Sequence, residues 1–180
     1  MTYSLYLLLV IGMLGAADTI YFHEWRARLP VLGKQASAEL RLHAARDFVY
    51  AILFVSLPWI CWCGWWAAVL VLLLAAEVVM TMWDFVVEDW VRKPLGGVYP
   101  AERVMHAAIG IVYGAMLVLM LPSVGVWWHQ PTGLARSDVQ VSLDLRWLFL
   151  AMALGVLASG VRDLCASFDA RGSAWPWKRE

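Results

Sequence analysis

In LLLAAEVVMTMWDFVVEDW, residues 72–90, four acids interrupt an otherwise apolar run: Glu77, Asp84, Glu88 and Asp89. The first three are spaced i, i+7 and i+11, which places them on one face of an α-helix. Three other stretches carry the same residue types. AADTIYFHEW supplies Asp18, His23 and Glu24. SAELRLHAARDFVY supplies Glu39, His43 and Asp47 at i, i+4 and i+8, and PAERVMHAAIG supplies Glu102 and His106 at i and i+4. Carboxylate oxygen with imidazole nitrogen is the donor set that suits iron, manganese or zinc, and the absence of cysteine nearby argues against a thiolate site.

These spacings predict that His43, Asp47, Asp84, Glu88 and His106 ligate one or two metal ions, with Glu102 and His23 as further ligands. Glu77 and Asp18 are expected in a catalytic role, as ligand or proton relay. The pairs Glu39-x-x-x-His43 and Glu102-x-x-x-His106 resemble, in their logic, the Glu-x-x-His pairs of ferritin-like di-iron bundles, with one residue more between the partners. Ordinary readings stand beside these. Glu39 and His43, next to Arg41 and Arg46, suit a solvated helix start, and Glu102 suits the positive end of a helix dipole. Asp89 beside Arg92 and Lys93 suits an interfacial ion-pair cluster, and Arg46 or Arg162 can pair with Glu77 or Asp84. His129, alone in the loop HQPTGLARSD, is read as uninvolved.

The elements that must position these residues are membrane helices. The chain has 180 residues, 62% of them hydrophobic and only 16% charged, with a mean hydropathy of +0.67. A soluble domain carries about 25% charged residues. Five segments approach the ~20 apolar residues a bilayer span requires: about 4–23, 42–62, 65–84 (helical on to 90), 104–121 and 147–165. LGAAD resembles a signal-peptide cleavage site, but Met1-Thr2-Tyr3 lacks the basic residue such a leader carries, so the first segment reads as a retained span. Pro30, Gly96-Gly97, Pro122 and Pro131 with Gly133 punctuate the connections.

This predicts an all-α, five-span bundle forming one integral membrane domain over residues 1–180. Of 14 basic residues, only Arg136 and Arg146 fall outside the connections between spans one and two, between spans three and four, and the carboxyl end. By the positive-inside rule those regions face the cytoplasm, with the amino terminus outside and the carboxyl terminus inside. The setting expected is a bacterial inner membrane. Trp59, Trp62, Trp65, Trp66, Trp127 and Trp128 would form the outer aromatic belt and Trp25 and Trp90 the inner one. At ~1.5 Å rise per residue, Glu77 then lies roughly 20 Å inward of Trp90, near mid-membrane. An intramembrane acid defaults to function.

Zero net charge excludes a basic field for nucleic acid. Cys61 and Cys63 make neither a disulfide framework nor a CxxC pair and read as buried or lipid-facing thiols. Four histidines are too few for the histidine boxes of the large membrane desaturases and hydroxylases. The leading expectation is a metal-dependent membrane enzyme acting on a lipid, a quinone or another hydrophobic small molecule: oxidation if iron is bound, hydrolysis if zinc is. Gly110 and Gly114, spaced G-x-x-x-G, allow close helix approach and a homo-oligomer. Two alternatives are a b-type haem protein with His43 and His106 as axial ligands, and a proton-coupled transporter using Asp18, Glu77 and Asp84.

Overall fold

The computed structural model describes residues 1–177. Five long helices dominate it: α1 (Thr2–Asp18), α3 (Ser37–Ser56), α4 (Trp65–Arg92), α5 (Pro100–Trp128) and α6 (Leu143–Ala166). Helix α1 continues as a π-helical segment, Thr19–Arg26, and a short helix α2 (Leu29–Leu32) with a 3₁₀ turn (Gly33–Ala36) leads into α3. Among the described residues, four helices are long and apolar enough to cross a membrane: Thr2–Arg26, Trp65–Leu95, Pro100–Trp128 and Leu143–Ala166. In each, only 22–28% of the most apolar window is buried. Val79, Ile111 and Val118 are among the large side chains that point outward. A soluble bundle hides that surface, whereas a bilayer solvates it.

Helix α3 is the exception. Its Glu39, Arg41, Arg46 and Asp47 make it the least apolar of the long helices, and it is also the most enclosed, with half of its 20 residues buried against α4 and α6. A polar helix survives in such a bundle by sitting inside it. The contact with α6 depends on Gly160, where an added Cβ would lie 2.9 Å from the Asp47 Cβ and 3.2 Å from the Ala44 carbonyl oxygen.

The ends of the bundle differ. At one end, the link after α3 and the link after α5 pair as two short antiparallel strands, β1 (Ile60–Cys63) and β2 (Gly133–Arg136). Gly64 makes the turn from β1 into α4 at φ +58°, with Thr132 packed where a side chain would stand. Tryptophans 59 and 147, 62 and 66, and 65 and 128 meet edge to face at this end. At the other end, Arg28 and Trp25 contact Trp177, and Arg41 lies over Phe168. The five long helices therefore alternate in direction, as the sequence reading expects. Lys178 and Arg179, counted there with the basic end, lie outside the described residues.

The strand pair departs from a purely helical expectation, and segment 42–62 is correspondingly shorter as a helix. Pro58 lacks an amide donor and clashes with the preceding turn, so α3 stops at Ser56 and Cys61 and Trp62 become strand. Pro122, in contrast, does not end α5. It lies on the exposed side of a helix whose Met116, Met120, Val124 and Trp127 continue one buried face to Trp128.

The main apolar core (Leu5, Leu8, Leu53, Phe54, Leu70, Met116, Phe149) fills the strand end. A small second cluster, Leu29, Ala36, Leu40 and Ala166, closes the opposite end. Replacing Gly160 by leucine is expected to force α6 off α3 and lower stability by about 2 kcal/mol or more. Thermal unfolding in detergent, with Gly110→Leu at an open surface position as reference, would measure it.

Candidate functional site

Between the two apolar clusters lies a layer of charge. Helix α4 presents Glu77, Asp84, Glu88 and Arg92 on its buried face, whereas Asp89 points outward to an exposed pair with Arg103. The i, i+7, i+11 reading of the acids holds, and Arg92, four residues past Glu88, extends it. That residue is counted with the basic cytoplasmic connection in the sequence reading. It is instead 1% exposed and donates to both Glu39 (2.8 Å) and Glu102 (3.1 Å). Glu39 and Glu102 thus share one guanidinium and are not solvated helix-start acids.

Helix α3 brings Glu39, His43, Arg46 and Tyr50 to the same layer. At 100° per residue, Arg46 lies ~20° from Glu39 around the helix, while Asp47 lies ~80° away. Arg46 accordingly bridges Asp84 (3.0 Å) and Glu77 (3.6 Å). Asp47 turns toward α6, lines a cavity with Ser159 and Asp163, and makes no ion pair within the layer. Glu77 also accepts from Tyr50 (3.0 Å) and from Thr81 one turn away (2.9 Å). It is held by three donors and stands apart from the imidazoles. Arg162, a proposed partner of Glu77 or Asp84, pairs with Glu24 and Asp163 instead.

The π-helical segment positions the rest. Asp18 and His23 are five residues apart, which on an α-helix would separate them by ~140°. Hydrogen bonding of the i→i+5 type stacks positions five apart. Here it sets His23 Nε2 3.5 Å from Asp18 Oδ2. From α5, His106 Nε2 lies 3.1 Å from the same Asp18 oxygen, and its Nδ1 lies 3.4 Å from Glu88. His23 Nε2 is also 3.2 Å from Glu102, and its ring stacks on His43 at 4.4 Å and 7°. His43 Nε2 faces Asp84 at 3.4 Å. One donor atom each from Asp18, His23 and His106 falls within a 4.8 Å group, a geometry that could hold a metal ion.

The layer is short of positive charge and of hydrogen bonds. Six buried carboxylates (Asp18, Glu39, Glu77, Asp84, Glu88, Glu102) face two guanidinium groups, Arg46 and Arg92, while a seventh, Asp163, is paired beside them with Arg162. With neutral imidazoles, four negative charges stay uncompensated. Asp18 Oδ1, Asp84 Oδ1, Glu88 Oε2, Glu102 Oε2, His23 Nε2, His106 Nδ1 and both nitrogens of His43 are buried without a hydrogen bond of good geometry. Such groups in an apolar bundle are costly unless a cation or proton meets them.

Of the expected ligands, His23, His43, Asp84, Glu88, Glu102 and His106 converge, and Asp18 joins them. Asp47 and Glu77 flank the group. Axial haem ligation by His43 and His106 has no geometric support, because both rings face carboxylates and His23 is stacked on His43. His129 lies at the strand end, just past α5. Arg92 and the π turn are the features the sequence reading missed. The first was legible in helical spacing from Glu88; the second has no counterpart in hydrophobic periodicity.

These features define a helical bundle of membrane character with a buried carboxylate–imidazole cluster. Compared with known protein families, with characterised proteins and with solved structures, the chain matches none.

Removing Arg92 would leave Glu39 and Glu102 buried without the guanidinium they share. Arg92→Ala is expected to destabilise by about 3–5 kcal/mol, whereas Asp89→Ala, breaking an exposed pair, changes stability by about 0.5 kcal/mol or less. Chemical unfolding of both variants in detergent tests the contrast.

Proposed function

We propose that this protein is a small inner-membrane metalloenzyme of bacterial type, which binds iron, manganese or zinc at its carboxylate–imidazole layer and acts on a lipid or quinone-like substrate. The observation that carries this reading is the group formed by Asp18, His23 and His106. Two donors on one metal at about 2.1 Å are at most about 4.2 Å apart, so the group needs only a slight contraction. Glu88 and Glu102 stand next to it, and His43 with Asp84 could take a second ion. Two divalent ions would cancel the four uncompensated charges. Asp18 and His106 are the residues that would hold the metal, and bound iron or zinc would supply oxidising or hydrolytic chemistry there. Glu77, fixed by Tyr50, Thr81 and Arg46, would keep Arg46 aligned on Asp84.

The test is elemental analysis of detergent-purified protein. Wild type is expected to carry one or two equivalents of iron, manganese or zinc. Asp18→Ala and His106→Ala lose at least tenfold in affinity, and His129→Ala retains the wild-type content. Metal-free wild type, with both variants folded, would sink the reading. It would favour a second one, in which the buried acids Asp18, Glu77 and Asp84 relay protons in coupled transport.

Five spans, with the strand end outside and the charged layer toward the cytoplasm, complete the proposal. Helix α3 is long enough at 20 residues; Glu39 is buried and Arg46 is paired within the bundle, while the exposed Arg41 lies near the helix start at the charged end. Cys61 lies in β1 and the exposed Cys165 near the opposite end. A membrane-impermeant maleimide on intact cells is expected to label Cys61 and spare Cys165 until the cells are opened. The opposite pattern would reverse the orientation.

A further inference from the structure

We propose that a cavity between α1 and α6 binds one single-chain amphiphile with an uncharged oxygen head, admitted sideways from the bilayer. This deepens, and rests on, the reading of the charged layer as an enzyme site. The cavity measures about 530 Å³ and extends from Leu9 and Leu148 to His23 and Asp163. From Leu9 to Asp18, nine residues of α-helix correspond to about 14 Å, and the π-helical segment carries the lining on to His23. A cavity of this size lies within the ~300–1,000 Å³ of pockets that hold one small molecule, which suits one hydrocarbon chain and not the bulk of a two-chain lipid.

Three features give the occupant its chemistry. The long walls are apolar, while the inner end carries Asp18, His43 and Arg46. His43 Nδ1, Arg46 Nε and Asp18 Oδ1 are buried without a hydrogen bond on residues that line the cavity, so donors and acceptors are both available to a head group. Arg46, the guanidinium at this end, already bridges Asp84 and Glu77, so no free positive charge is left to hold an anionic head, and an alcohol or a quinone-type carbonyl is the matching class.

The route is lateral. The Leu29–Ala36–Leu40–Ala166 cluster closes the aqueous end, whereas Met13, Ile20 and Leu148 line the cavity and are also exposed on the bundle's outer side. Met152 and Phe54 sit over Gly12 where the walls approach. A thioether is flexible enough to yield to a chain. Gly15 and Gly155 line opposite walls, and an added Cβ at either would meet nothing within 4 Å. A larger residue there fills the cavity without disturbing the backbone, and it favours the helix over glycine.

The experiment is native mass spectrometry of the full chain released from detergent, with metal content read on the same samples. The probes are 1-hexadecanol, decylubiquinone, hexadecanoate and dioleoylphosphatidylglycerol. A one-to-one adduct with hexadecanol or decylubiquinone is expected, at least tenfold weaker for hexadecanoate and for the two-chain lipid. Gly15→Leu and Gly155→Leu each reduce the adduct tenfold or more, and Gly110→Leu, on the open face of α5, leaves it unchanged. No adduct, equal binding of the two-chain lipid, or an adduct indifferent to both cavity variants would overturn the inference. Metal retained without an adduct removes this inference alone. An adduct on metal-free protein supports the cavity and removes the metal reading.

Discussion

Charge burial is the constraint that organises this bundle. A carboxylate inside a membrane protein costs several kcal/mol unless something meets it, and six are gathered in one layer. Two guanidinium groups answer part of the demand, each spanning two acids. Arg92 ties α3 to the start of α5 through Glu39 and Glu102, and Arg46 ties α3 to α4 through Asp84 and Glu77. These bridges explain why the most polar helix, α3, occupies the interior. A lipid-facing α3 would expose Glu39 and Arg46 to hydrocarbon and take Glu39 away from Arg92 on α4.

What the arginines leave unanswered is concentrated around three imidazoles. His23, His43 and His106 come from three different helical segments, and each faces at least one carboxylate within 3.5 Å. Stacking of His23 on His43 is a poor arrangement for two protonated rings, since like charges at 4.4 Å repel in a low dielectric. Neutral imidazoles with cations between the acids relieve both problems together. The apolar clusters above and below keep water from doing the same, and they leave the side between α1 and α6 as the open wall.

Much of this was legible in the residues. Glu77, Asp84 and Glu88 face inward as their spacing requires, and the helical segments and their alternating directions follow the apolar runs and turn residues. The limits lie where helix geometry departs from its average. Eight residues carry Asp47 well around the α3 axis from Glu39, so the i, i+4, i+8 pattern overreached and Arg46 took the position. The π segment made neighbours of Asp18 and His23, which α-helical spacing would separate. Pro58 was a local stop signal for α3, but the strand pair depends on tertiary contact between two links 70 or more residues apart in the chain, which no local pattern encodes.

X-ray absorption at the edge of the bound metal tests the central claim most directly. Ligation by the charged layer predicts a nearest shell of nitrogen and oxygen only, at about 2.0–2.2 Å, with the outer scattering of imidazole rings that disappears in a His23→Ala, His106→Ala double variant. A sulfur shell at about 2.3 Å would instead place the metal on Cys61 and Cys63 at the strand end, and would contradict the account.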